Sequence, residues 1–375
     1  MAKLLSPLSD IAIIGGGVIG SAIAYNLSRS GAKVTVFERD HVASGASGVG
    51  AGIMSIIPEH DRSSPLFKLG AASIRLLKDT CAALKEETGL DPEYVPVGLL
   101  RVAFTEQEEH DLKQLQLWAQ LQRMEADWIN HDDLMQTEPA LSEGIRGAMY
   151  TTGEHQIRAV KLTQAFARAA AHRGTDYRLT APVAGLTYQG ERVTGVRLAD
   201  GSQVSADHVV IAAGAWSSQL GADIGLNLPV RPVKGQLVHL YAPARVMRLT
   251  VMHGIGYVTP KVDGTIVVGA TQEEAGFDAR STSEGVAAML GVGSMLVPAL
   301  SRAEIAEIKV GLRPGTPDGL PILGPAPGWE GLTIATGHFR SGITLSPITG
   351  KLLAECIIDG TVSPQLTPFL PDRFA

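Results

Sequence analysis

The stretch that most constrains this 375-residue chain runs from Asp10 to Glu38, DIAIIGGGVIGSAIAYNLSRSGAKVTVFE. Ile11, Ala12, Ile13 and Ile14 form a short apolar run, the pattern of a strand buried on both faces. Gly15, Gly17 and Gly20 then spell G-x-G-x-x-G, and Ala22, Ile23, Ala24, Tyr25 and Leu27 continue as a helix with mixed apolar faces. Gly31 stops that helix. Val34, Val36 and Phe37 open a second strand, which ends on the acid Glu38.

Each part suits a dinucleotide. Gly15 lets the chain leave the strand in a tight turn, Gly17 carries no Cβ to hold a pyrophosphate off the backbone, and Gly20 lets the helix approach the sheet. The helix N-terminus adds unpaired N–H groups and a positive dipole end. Glu38 lies 18 residues beyond Gly20, where a carboxylate accepts hydrogen bonds from the adenosine ribose hydroxyls. An acid there repels a 2′-phosphate, which argues against NADP. A glycine-rich turn alone is common in α/β proteins; strand, helix, second strand and terminal acid together favour the dinucleotide site. The motif leaves FAD and NAD both open.

The length suits two domains, or one interleaved pair. A net charge of −6 offers no basic footprint for nucleic acid. Two cysteines, Cys81 and Cys356, cannot build a disulfide framework, which fits a reducing cytoplasm. Pro7 and Asp10 interrupt the opening MAKLLSPLSD, so a signal peptide is not expected. No apolar run approaches the ~20 residues of a spanning helix, so no integral membrane segment is expected. No metal site is expected either.

After Glu38, the segment 43–55 (ASGASGVGAGIMS) is nearly free of bulky side chains, which lets backbone amides and Ser hydroxyls approach a large planar ligand. Helical periodicity then appears around Leu66, Leu69, Ile74, Leu77 and Leu84. A strand is expected near 98–104 and a charged helix over 105–124, capped by Thr105, with Leu112, Leu115 and Trp118 as core positions. Further along, 160–172 reads as a helix and 181–186 as a strand. A polar hairpin follows, with turns at Gly190 and Asp200-Gly201. VVIAAGAWS (209–217) is a buried strand ending in a glycine turn, as beside a nucleotide in an open sheet. VRPVKGQ, LVHLYAP and GYVTPKVDGTIVVGAT carry period-2 strands of an antiparallel sheet, turning at Asp263-Gly264. Helices are expected over 289–296 and 347–358, and a strand over 332–337.

Five of these motifs, GGGVIG with Glu38, VVIAAGAWS, VRPVKGQ, GLRPGTPDGLPILG and GHFRSGITLSPITG, resemble the D-amino-acid-oxidase superfamily of flavoproteins in order and spacing over essentially the whole chain. Within it, the chain is most similar to the glycine oxidases of thiamine biosynthesis. It is also similar to the flavin subunit of cyanide-forming glycine dehydrogenases, which the closing PFLPDRFA resembles too. The resemblance implies an α/β fold: a Rossmann-type FAD-binding domain (1–57, 150–227 and 310–375) interleaved with an α+β substrate domain containing an antiparallel sheet (58–149 and 228–309). It implies noncovalent FAD, because relatives with a covalent link carry a cysteine just before the Arg-Pro loop, where this chain has Gly311 and Leu312. The cofactor-binding set that it implies is Gly15, Gly17, Val18, Ile19, Gly20, Glu38, Arg39, Ser47, Ala51, Gly52, Val183, Ala213, Gly214, Trp216, Gly337, His338, Arg340, Ser341, Gly342, Ile343 and Thr344.

Three residues carry over as the catalytic, substrate-facing set: Arg313 and Tyr257 toward a substrate carboxylate, and Arg340 framing the pocket beneath the flavin. A guanidinium fork meets a carboxylate bidentately, although an arginine in a Pro/Gly loop is by sequence alone more often solvated. Glycine oxidases have a histidine two positions before the tyrosine, and this chain has Ile255, a more apolar wall that could admit sarcosine or a small D-amino acid. The implied reaction is oxidation of a small amino acid or secondary amine by hydride transfer to flavin N5, giving an imine that hydrolyses to an oxo acid and ammonia or an amine, with O2 or another electron acceptor. The N-terminus of the last helix, Gly342 to Leu345, would stabilise charge on the reduced flavin. The alternatives are a dehydrogenase serving a quinone or partner subunit, an NAD enzyme, a tRNA-modifying flavoprotein, and a non-catalytic FAD-binding subunit. A homo-oligomer or a subunit of a complex is expected.

Overall fold

In the computed structural model, which describes residues 10–57, 62–242 and 246–374, two sheets face each other across a cleft. The first has six strands in the order Ile322–Pro325, Leu332–Thr336, His208–Ile211, Asp10–Ile14, Lys33–Phe37 and Asp176–Arg178. Neighbours run parallel except at the edge pair Ile322–Pro325 and Leu332–Thr336. The opening strand is apolar throughout because both its faces are covered. Ile11 and Ile13 pack with the helices Val18–Arg29, Ala159–His172 and Gly342–Asp359, whereas Ala12 and Ile14 pack against the three-stranded sheet Val183–Gln189, Arg192–Leu198 and Gln203–Ser205. Burying a side chain such as Ile13 contributes about 1.5–3 kcal/mol.

The second sheet has eight strands, in the order Glu304–Gly315, Arg231–Tyr241, Thr265–Gly269, Gly256–Pro260, Thr250–His253, Leu99–Ala103, Gly147–Thr151 and Ala126–Asn130. All neighbours are antiparallel except Thr250–His253 and Leu99–Ala103. Its outer face (Val238, Val258, Val268) packs under the helix Ser283–Leu296. Its inner face (Leu237, Met252, Tyr257, Val267) meets Val49, Ala51 and Ile53 from the first unit. Thr105 caps its helix as expected, in a reciprocal capping box with Glu108.

Several expectations shift. The helix Leu66–Thr88 lies in the stretch assigned to the substrate domain, yet Leu69, Leu77 and Leu84 join the first core beside Ile23 and Phe166. The boundary at 310 falls inside the strand Glu304–Gly315, so Arg313 stands near a strand's end rather than in a loop. The strand expected over 181–186 is Val183–Gln189, because Thr180 takes a φ of 52° and Ala181 N–H donates to the Glu38 carbonyl. The helix expected from 289 begins at Ser283, capped by Thr282; its glycines hid the start. The last helix starts at Gly342 and carries Pro347 inside it. Proline has no N–H for the Ile343 carbonyl, and the Ser346 hydroxyl donates to it instead at 2.9 Å. The signal-peptide expectation concerns residues 1–9, which lie outside the described residues. No described helix is long and apolar enough to cross a membrane.

Candidate active site

The cleft between the sheets encloses about 1050 Å³. One end is made by the opening stretch. Gly15 has a φ of +114°, and a Cβ there would collide with the Ala212 carbonyl on the neighbouring strand. Gly20 faces the sheet, where a Cβ would strike the Gly15 carbonyl, so it serves packing and does not line the cleft. The helix Val18–Arg29 has no side-chain cap and no acid in its first turn; Ser47 Oγ accepts from Val18 N–H at 2.9 Å. Glu38 is buried, and its carboxylate accepts from Gly16 N–H at 2.7 Å and Asp40 N–H at 2.9 Å. The Arg39 Cζ sits over Trp216, 3.5 Å from the ring centroid, and Trp216 in turn meets Phe277 at 5.4 Å. Val18, Ile19, Ala51, Gly52, Val183, Ala213 and Gly214 all line this cleft.

The other end is made by side chains from separate elements. Arg313, from the strand Glu304–Gly315, lies across Gly235 of the adjacent strand, where any Cβ would overlap the guanidinium. Tyr257 lies across Gly269 in the same way, so two glycines floor the sheet beneath the pair. Arg313 Nη1 donates to the Thr271 carbonyl at 3.1 Å. Burial pushes the Tyr257 hydroxyl up to about 12, against the lowering by the Arg313 and Arg340 charges. Burial lowers Arg313 too, with Tyr257 raising it and Arg340 lowering it. All three catalytic candidates line this cleft.

Arg340 is exposed at the cleft just before the last helix, followed by Ser341, Gly342, Ile343 and Thr344 in the lining. His338 also lines it, with Nε2 3.2 Å from Thr349 Oγ1, and burial lowers its imidazole to about 3. Gly337 does not line the cleft; its φ of +77° and contact with Thr316 make it a turn residue. Ile255 stands at the mouth, half exposed.

Sequence reasoning missed the braces behind the walls. The buried Glu154 carboxylate accepts from Ser55 Oγ at 2.7 Å, Ile56 N–H at 3.0 Å and both terminal nitrogens of Arg101, which fixes the cleft-lining corner Ser55–Ile57. Burial pushes that carboxyl up, but Arg101 and the surrounding donors hold it at about 2. Arg373, in the closing PFLPDRFA, donates to Asp318 Oδ2 at 2.8 Å and to the Leu320 carbonyl at 2.9 Å, tying the chain's end to a cleft-lining turn. The closing PFLPDRFA carries a resemblance but does not name the partner of Arg373, and nothing local to Glu154 signals its role.

The cleft fits FAD: a glycine turn and helix N-terminus at the end of a parallel strand, an acid for the ribose, and a walled space extending to the second sheet. Neither cysteine lines it. Residues 10–356 match the model of the FAD dependent oxidoreductase family (DAO). The chain belongs to this family. It is 38% identical over 363 residues to a glycine oxidase of Geobacillus kaustophilus, covering 96% of each chain. It is 32% identical to the hydrogen cyanide synthase subunit HcnC of Pseudomonas aeruginosa, covering 97% of this chain and 96% of that one. The crystal structure of glycine oxidase from Geobacillus kaustophilus superposes with a TM-score of 0.92 at 36% identity, covering 96% of this chain and 98% of that chain. The chain is thus an FAD-dependent oxidoreductase of α/β architecture, with a Rossmann-like parallel sheet and a separate antiparallel sheet.

Proposed function

We propose that this flavoenzyme oxidises a small amino acid or secondary amine, such as glycine, sarcosine or a small D-amino acid, with O2 as acceptor. The observation that carries the reading is the convergence of Arg313 and Tyr257 on a glycine-floored, otherwise apolar sheet face. A guanidinium whose one committed nitrogen rests on a carbonyl keeps its other N–H groups for a carboxylate. Tyr257, held protonated by burial, donates to the same group. Together they fix the substrate's orientation, beside the apolar Leu237 and Met252 that line the same cleft. FAD, when bound, supplies the oxidant that accepts the hydride.

Glu38 sits at the far end, Asp318 is tied to Arg373, and His338 is too weak a base at about 3. Among the described residues that line the cleft, none suits proton abstraction from the amine, which supports a substrate amine that reacts in its neutral form. The apolar Ile255 at the mouth supports acceptance of an N-methyl or Cα-methyl group. The similarity to glycine oxidases supports the amino-acid class, and the two buried free cysteines support a cytoplasmic setting. The test is an anaerobic bleaching screen with glycine, sarcosine, D-alanine and D-proline, followed by readmission of air. Bleaching by at least one of them, and one peroxide per turnover on reoxidation, supports the proposal. Bleaching without peroxide makes the enzyme a dehydrogenase, and no bleaching by any of them defeats the proposal.

A further inference from the structure

Cofactor binding does not explain the run Lys234-Gly235-Gln236, and the strand places its three residues on two faces. Gly235 faces the cleft and leaves room for the Arg313 guanidinium. Lys234 and Gln236, both fully buried, turn the other way and converge on Glu273. Gln236 Nε2 donates to Glu273 Oε1 at 2.7 Å, and Lys234 Nζ lies 3.2 Å from Oε2. Backbone exchange between Lys234 and Glu273, at 2.9 Å each way, pins the two segments together. Thr282 fixes the Gln236 amide, with its N–H donating to Oε1 at 2.9 Å.

Thr271 joins this network to the cleft. Its hydroxyl donates to Glu273 Oε1 at 2.5 Å and accepts from Gln236 N–H at 2.9 Å, while its carbonyl accepts from Arg313 Nη1 at 3.1 Å. We propose that Lys234, Gln236 and Glu273 are positioning residues that act through Thr271 to aim the Arg313 guanidinium, and so set how tightly the site takes a carboxylate. The proposal rests on Arg313 being the carboxylate anchor. A buried lysine needs a paired counter-charge. Glu273 supplies it with one oxygen and holds Thr271 with the other, so Thr271 cannot turn its carbonyl away without breaking the two part-buried hydrogen bonds of its hydroxyl. The alternation in K-G-Q therefore serves one end: small toward the arginine, polar toward its brace.

The test uses the FAD-loaded protein and acetate, a carboxylate that cannot be oxidised as an amine, with affinity read from the perturbed flavin absorption. Glu273→Gln and Thr271→Val each weaken acetate about tenfold and raise KM for the amine substrate by a similar factor, while kcat stays within about twofold. Thr271→Ser, which keeps the hydroxyl, recovers most of the affinity. If Glu273→Gln does not fold with FAD, Thr271→Val decides alone, since it replaces only a hydroxyl. Unchanged acetate affinity in the variants, with affinity lost in Arg313→Leu, overturns the brace and leaves the anchor standing. Wild-type affinity in Arg313→Leu, or no acetate binding to the parent enzyme, overturns anchor and brace together.

Discussion

The two ends of the cleft are built differently. The Glu38 end is centred on one contiguous stretch and works mostly through backbone: a glycine turn, a helix N-terminus and an acid locked by two amides. The Arg313 end is assembled from the strands Glu304–Gly315 and Gly256–Pro260 and the residues before the last helix, and works through side chains lying on glycines. Backbone-built sites fail when the main chain is forced to move. Side-chain-built sites fail one function at a time.

That contrast can be broken by mutation. Gly15→Val should have the largest effect, because a φ of +114° and the Ala212 carbonyl both exclude a branched side chain. We expect a loss of about 4 kcal/mol or more, seen as protein that purifies colourless or melts well below the parent. At the other end, Arg313→Leu should lower kcat/KM by at least about 100-fold, with the flavin spectrum and FAD content retained. Glu38→Gln should weaken FAD about tenfold yet leave kcat of the saturated enzyme unchanged, as measured by FAD titration of the apoprotein. A further effect concerns pH. The native pKa of His338, about 3, lies below its ordinary 6.5, so between those values the unfolded chain binds a proton that the folded one refuses. Stability therefore falls as pH drops through that window. In melting curves of the holoprotein, His338→Gln should flatten the decline between pH 6.5 and pH 4.

The same contrast explains what could be read in advance. Asp10–Glu38 was legible because its information is local: apolar run, glycine spacing and terminal acid lie within one βαβ unit. Pairings in the second sheet were legible only as period-2 strands, because which strand lies beside Gly256–Pro260 depends on contacts far apart in sequence. Leu66–Thr88 was legible as a helix but not in its destination, since an apolar stripe does not name the core it covers. Arg313 and Tyr257 stood out only through family resemblance. Glu154, Glu273 and Arg373 stayed hidden, because a charged residue's partner is fixed by the tertiary fold.

The division of labour that we propose gives the substrate to Arg313 and the cofactor to the opening stretch. It is tested most directly by anaerobic stopped-flow reduction of the flavin, titrated with the best amine from the screen, in the parent and in Arg313→Leu. Equal FAD content and a substrate dissociation constant raised about 100-fold are expected. Superimposable titration curves would contradict it.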